Sequence, residues 1–342
     1  PERFEKTVIY KDEQGQEHWF FDNMIMMELW DDDYEVTYSI ANDGRYSSRK
    51  EHWQRQLDYW FDQQYGFAAL DQCIARAAER IGNPPAKRGI IFSLPDPVYF
   101  EHYTDAMKGT NRNTVYWGDI DGVQMDFSKA EDRIKAYIWM IDAVRARFDA
   151  AGYKYIELIG FYILSEELSA PGSFRYEYKE HDKTIKAAAE YCHSLNEGFY
   201  WVPYAMAPGI ESSKDFGFDL VVMQPNYYWT DAKWTWEQIE KTIRENGLGM
   251  ELEFEGTHGE PLTSSILSNL KNGEPNPYSE RNKARFQEYL ANAKARGLYG
   301  EVPFVLYAGT DGLFELASSE DEKDKELYHK LGKFITENPL KK

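Results

Sequence analysis

Four glutamates hold the chemistry that this sequence can be argued to perform. Glu251, Glu253 and Glu255 alternate with Leu252 and Phe254 within the stretch 249–255. Successive side chains of a β-strand point to opposite faces, so the three acids share one face and the apolar residues the other. Carboxylates crowded on one face repel each other and need water, hydrogen-bond donors or a substrate. The fourth acid, Glu166, follows the apolar run 155–164 and stands beside Glu167. Glycoside cleavage asks for such a pair. One carboxylic acid protonates the leaving oxygen, and a second carboxylate attacks or activates water. Carboxylates about 5 Å apart predict retention of configuration, and roughly 6.5–9.5 Å predicts inversion. Glu253 sits nearer the carboxyl end of its strand and is the first choice for the second carboxylate, with Glu251 next. The plainer alternatives are that Glu166 caps the following helix and that Glu251 ties an inner layer together.

Other polar and aromatic residues stand where they could line a sugar site. Gln224, Asn226, Tyr227 and Trp229 follow the strand-like run 218–223, in the stretch Gln224-Pro225-Asn226-Tyr227-Tyr228-Trp229. Amide and phenol groups at a strand end can bond hydroxyls, and Trp229 can serve as a platform. Trp201 and Tyr204 read the same way on the run 199–205, and Tyr162 lies just before Glu166. Asp22 and Asn23 interrupt an apolar strand candidate at 18–29, either as site residues or as interior hydrogen-bonding groups. For each aromatic, core packing is an equal alternative. Asp119 and Asp121 hint at calcium, but the rest of a calcium loop is missing.

The elements that must position these residues alternate regularly. Strand candidates fall at 18–29, 88–94, 155–164, 199–205, 218–223, 249–255 and 302–308. Helical runs fall at 48–81, 128–151, 179–196, 235–246, 279–296 and 326–336. A Ser cap is expected at 128, and Gly152, Gly247 and Gly297 stop helices. The segment 99–126 is expected to be a long loop. Strands alternating with helices of this length imply βα units and a parallel sheet in one domain, 1–342. Seven strands are one short of a (β/α)8 barrel. Residues 7–10, followed by Asp12-Glu13-Gln14-Gly15, resemble a hairpin arm rather than a barrel strand, so a first strand upstream of Pro1 is expected. A doubly wound sheet is the alternative, and the Gly-rich phosphate loop it usually carries is not found. Counted with a missing first strand, Glu166 follows strand four and the acidic row ends strand seven, where barrel active sites lie. That placement resembles the large clan of retaining glycosidases with carboxylates after strands four and seven.

Composition narrows the partners. The chain has 342 residues and a formal net charge of −19, which opposes nucleic acid or an anionic membrane as partner. Aromatics make up 16 %, a proportion suited to stacking on pyranose faces. Two cysteines, Cys73 and Cys192, form no disulfide framework, and seven scattered histidines give no metal-ligand spacing. No cofactor is expected. No apolar run is long enough to cross a membrane as a helix. The start at Pro1 reads as a processed or trimmed terminus. The oligomeric state is not legible.

Five ordered motifs make the chain resemble a bacterial family catalogued as domain of unknown function 4855. Trp19-Phe20-Phe21-Asp22 matches a Trp-Leu-Phe-Asp-like strand. Gly160 through Glu166 matches Gly-Phe-Tyr-Trp-x-x-Glu, with Ile163 in place of Trp. Trp201-Val202-Pro203-Tyr204 matches Trp-Ile-Pro-Tyr. Gly217-Phe218-Asp219 and Gln224-Pro225-Asn226-Tyr227 match the next pair, and Gly249 through Phe254 matches Gly-x-Glu-x-Glu-Phe. The resemblance implies an export signal and an earlier first strand, hence a secreted, periplasmic or cell-surface protein. It brings no established activity. The expected function is a glycoside hydrolase on a (β/α)8 barrel, with Glu166 as acid/base and Glu253 or Glu251 as nucleophile. The alternative is a non-catalytic carbohydrate-binding barrel. A deacetylase would want an Asp/His/His metal cluster, and a lyase would want basic residues for a uronate.

Overall fold

The computed structural model describes residues 2–31, 35–39, 46–102, 114–168, 177–178, 180–228, 234–255, 279–309 and 311–340. Seven strands run in parallel: β1 (Asn23–Met26), β2 (Arg88–Leu94), β3 (Ile156–Ile163), β4 (Gly198–Trp201), β5 (Leu220–Met223), β6 (Gly249–Glu253) and β7 (Phe304–Tyr307). Each pairs with the next along the chain, from β1 with β2 to β6 with β7. That is the order of a singly wound βα series. A doubly wound sheet would reverse its order at a switch point. The α/β class with parallel strands is therefore what the chain has, in the strand order that a (β/α)8 barrel uses.

The helices that follow the strands are α1 (Lys50–Trp60), α2 (Gly66–Ile81), α3 (Ala130–Ala151), α4 (His181–Ser194), α5 (Trp236–Asn246), α6 (Ser279–Ala295), α7 (Gly312–Ser318) and α8 (Glu322–Thr336). Thr235 caps α5, accepting from Gln238 N–H at 3.3 Å while the Gln238 side chain accepts from Thr235 N–H at 2.8 Å. Gly247 and Gly152 end α5 and α3 in the left-handed conformation.

The chain forms two compact units, one of Asn23–Ala75 and Pro85–Val221, the other of Pro1–Asp22, Arg76–Pro84 and Val222–Lys342. In the first, Leu220 and Val221 pair with β4. Its core is aromatic: Trp53 lies edge-on to Trp117 at 4.9 Å, and Trp117 stacks on Phe127 at 5.6 Å. In the second, Val222 and Met223 pair with β6. There Tyr10 packs on Tyr328 at 5.4 Å, and Phe254 packs on Phe286 at 4.9 Å.

Four sequence expectations need correction. The strand expected at 18–29 is two strands. Glu17–Trp19 pairs antiparallel with Ile9–Lys11, and β1 begins only at Asn23. Asp12 shapes that hairpin by accepting from Gln14 N–H at 3.0 Å and Gln16 N–H at 2.8 Å. The helix expected at 48–81 is broken between α1 and α2. Gly66 has φ +49°, and a Cβ there would lie 2.1 Å from the Trp60 carbonyl oxygen. The expected loop at 99–126 holds a hairpin, Tyr116–Ile120 with Val123–Asp126. Asp121 and Gly122, with φ of 50° and 78°, form its tight turn, which accounts for the acid spacing that suggested calcium. Helix α3 starts after Lys129 rather than from a Ser128 cap, and Ser128 N–H instead donates to Asp126.

Candidate active site

Glu253 is the last residue of β6 and is 0 % exposed. A carboxylate so enclosed needs donors, and the segment after β5 supplies them. Asn226 N–H donates to one Glu253 oxygen at 2.9 Å, and Tyr228 N–H donates to the other at 3.3 Å. Asn226 adopts φ 54°, a left-handed conformation that Asn tolerates and that turns neighbouring amides towards a common anion. The Tyr289 hydroxyl, from α6, donates a third and short hydrogen bond to Glu253 and accepts from Tyr227 N–H at 3.1 Å. Three consecutive amides, 226 to 228, thus converge on one carboxylate and the phenol that serves it. Burial, then the charge and hydrogen bond of Glu253, push the Tyr289 phenol well above its ordinary value. Tyr289 therefore stays protonated and remains a donor.

Glu251 lies one layer deeper on the same strand and is also buried, opposite Val305 of β7. Its charge adds to the field on Tyr289. Glu255 lies just past the strand, half-buried, with its carboxyl carbon 2.9 Å from where a Cβ on Gly309 would stand.

In the other unit, the segments after β3 and β4 are tied together. Trp201 N–H donates to the Ser165 carbonyl at 2.7 Å, and Leu168 N–H donates to Pro208 at 3.0 Å. Ser165 hydroxyl donates to the Glu167 carbonyl at 2.7 Å. Glu166 is half-buried directly after β3, while Glu167 is buried and accepts from Tyr204 hydroxyl at 2.6 Å. The expected acid and one expected site tyrosine are thus brought to adjoining strand ends.

The remaining expected site residues divide. Trp201 is fully buried, stacked on Phe218 at 5.4 Å with its N–H occupied, so it is a core residue rather than a sugar platform. Tyr162 is buried within β3. Asp22 precedes β1 and lies at an amino-terminal strand end, the end that barrel sites do not use. Gln224 and Asn226 are half-buried after β5, and Asn226 serves through its backbone. Tyr227 turns its ring to the helices, with its hydroxyl donating to Glu288 and its ring 4.9 Å from Trp236. Trp229 lies outside the described residues. Tyr289 has no signal in the sequence, because a tyrosine on an amphipathic helix looks like core. Glu167 stands out there only as a neighbour of Glu166.

Among the described residues, no group of three or more His, Cys, Asp or Glu side chains could hold a metal ion. No described helix is long and apolar enough to cross a membrane.

The family described as Domain of unknown function (DUF4855) matches residues 1–333. Among curated proteins, none matches this chain. Similar solved structures include an uncharacterised protein at 14 % identity and TM-score 0.29, over 60 % of this chain and 46 % of that one. A hyperthermophilic endocellulase from the archaeon Pyrococcus horikoshii is similar at 12 % identity and TM-score 0.39, over 96 % of this chain and 99 % of that one. A glycoside hydrolase family 5 enzyme from Prevotella bryantii B14 is similar at 11 % identity and TM-score 0.35, over 96 % and 98 %. Likenesses at these identities and TM-scores carry no functional weight.

Proposed function

This chain belongs to the family described as Domain of unknown function (DUF4855), and from that premise we propose that it is a glycoside hydrolase of the two-carboxylate type on a single (β/α)8 domain. The observation that supports the reading best is the grip on Glu253. A carboxyl group at the carboxyl end of a parallel strand, held by two amides and a phenol, is fixed in one orientation. That is the condition for a nucleophile or for a carboxylate that stabilises an oxocarbenium-like transition state. Glu166, half-buried after β3, takes the role of acid/base, with Tyr204 and Glu167 beside it. Glu251 is the second candidate for the nucleophile. Gln224 and Asn226 bond sugar hydroxyls. The substrate is an oligosaccharide or polysaccharide, and a polymer of that kind is met outside the cytoplasm, at the surface or in the periplasm of a bacterium.

The test is turnover of a glycan panel by Glu166→Gln and Glu253→Gln. Each change is expected to lower kcat by at least about 10²-fold, the usual scale of a lost acid/base or nucleophile, with the fold intact. Added azide should restore turnover to a Glu253→Ala chain and give a glycosyl azide. Full activity in Glu166→Gln rules the assignment out. If azide rescues Glu251→Ala instead, the nucleophile is Glu251.

A second reading is a carbohydrate-binding barrel without catalysis. The complete enclosure of Glu253 supports it, because a carboxylate with no exposed surface touches no ligand in this conformation. It predicts glycan binding that survives loss of both carboxylates, with no glycan cleaved.

A further inference from the structure

Besides the strand ends, the second unit carries an open cleft of about 590 Å³, lined by Tyr227, Trp234, Trp236, Glu237, Arg285 and Arg296. Neither Glu251 nor Glu253 lines it. Its walls are fixed by contacts within the protein. Trp236 packs on Tyr227 at 4.9 Å and edge-on to Tyr289 at 5.2 Å. Arg285 lies over the Tyr227 ring at 5.6 Å and donates to the Tyr228 carbonyl at 3.2 Å. Arg296 is held by Glu237 at 3.0 Å and Glu240 at 3.1 Å. Trp234, Trp236 and Tyr227 are each half-buried.

The lining decides what fits. A purely apolar ligand would strip water from two guanidinium groups and a carboxylate without replacing their hydrogen bonds. A polyanion would meet Glu237 and a molecule of charge −19. A nucleic acid fails on the same ground. An uncharged sugar chain satisfies both parts of the wall. Its C–H faces cover indole and phenol rings, and its hydroxyls accept from guanidinium N–H and donate to carboxylate oxygen.

We propose that this cleft is a glycan-binding site in its own right, taking a neutral oligosaccharide segment against Trp234 and Trp236. The site holds a chain and performs no chemistry, so it does not depend on the hydrolase reading.

The test is retardation of the full chain in native gels cast with hydroxyethyl cellulose, xyloglucan, galactomannan or arabinoxylan, with polygalacturonate as the anionic counterpart. At least one neutral gel should retard the protein. Trp234→Ala should weaken that binding about fivefold, the scale of one lost aromatic contact, with an unchanged circular dichroism spectrum. Trp234→Leu replaces it should the alanine variant fail to fold. Equal retardation of the Trp234 variant, no retardation in any neutral gel, or retardation by polygalacturonate alone each overturns the proposal.

Discussion

Tyr289 shows how much one side chain can decide. It donates to Glu253 and accepts from Tyr227 N–H, so a single hydroxyl joins α6, the segment after β5 and the end of β6. Tyr289→Phe removes the donor and leaves the Tyr227 amide without its acceptor. The buried carboxylate then keeps the Asn226 and Tyr228 amides but loses the phenol. A hydrogen bond to a charged group contributes about 1.5–3 kcal/mol, and a loss of that order is expected in urea denaturation. If Glu253 is the reacting carboxylate, kcat falls as well. If it is only a clamp, stability falls and turnover on any hydrolysed glycan does not. The acids of this site are legible in the sequence because period two puts them on one face. Asn226 is legible as a polar residue after a strand, but the sequence gives no hint that its amide N–H reaches Glu253. Trp201 misleads because an indole suits a core and a sugar platform equally well, and only its full burial and its bond to Ser165 separate the two.

At the scale of elements, the apolar runs and helix stops are readable because strands are short and largely apolar and because Gly ends helices in a recognisable conformation. The break between α1 and α2 is not readable. Its apolar spacing continues through Trp60 and Phe67, and no proline marks the interruption. Gly66 marks it instead. Its φ of +49° already disfavours any side chain, and a Cβ would also strike the Trp60 carbonyl at 2.1 Å. Gly152 has φ +58° at the end of α3, but nothing lies within 4 Å of a Cβ there. Gly152→Ala is therefore expected to cost about 1 kcal/mol, the left-handed penalty alone. Gly66→Ala adds a backbone clash and should cost clearly more. Urea midpoints of the two variants measure the difference. Equal costs mean that the turn at 61–65 relaxes to admit the methyl group.

Over the whole molecule, lowering the pH sets two effects against each other. Protonating surface carboxylates relieves the self-repulsion of a chain with 58 acidic and 39 basic residues, which stabilises it. His181 works the other way. It is buried, and burial, followed by the nearby Arg133 charge, lowers its pKa to about 4. The unfolded chain binds this proton near pH 6.5, so it holds more protons than the folded chain below that value. The contribution of neutral His181 is complete above pH 6.5 and is lost as pH falls towards 4. Two and a half pH units correspond to roughly 3 kcal/mol at most. His52, also lowered by burial, adds in the same direction. Salt separates the two effects, because screening acts on exposed charges and scarcely on a buried imidazole. At 0.5 M NaCl, stability should therefore decline from pH 6.5 to 4, and a His181→Gln chain should show a flatter decline over that window. A decline of the same slope in both proteins would assign the acid sensitivity to other groups. At low salt the same window should be flatter for the unaltered protein, because relieving repulsion offsets part of the histidine effect.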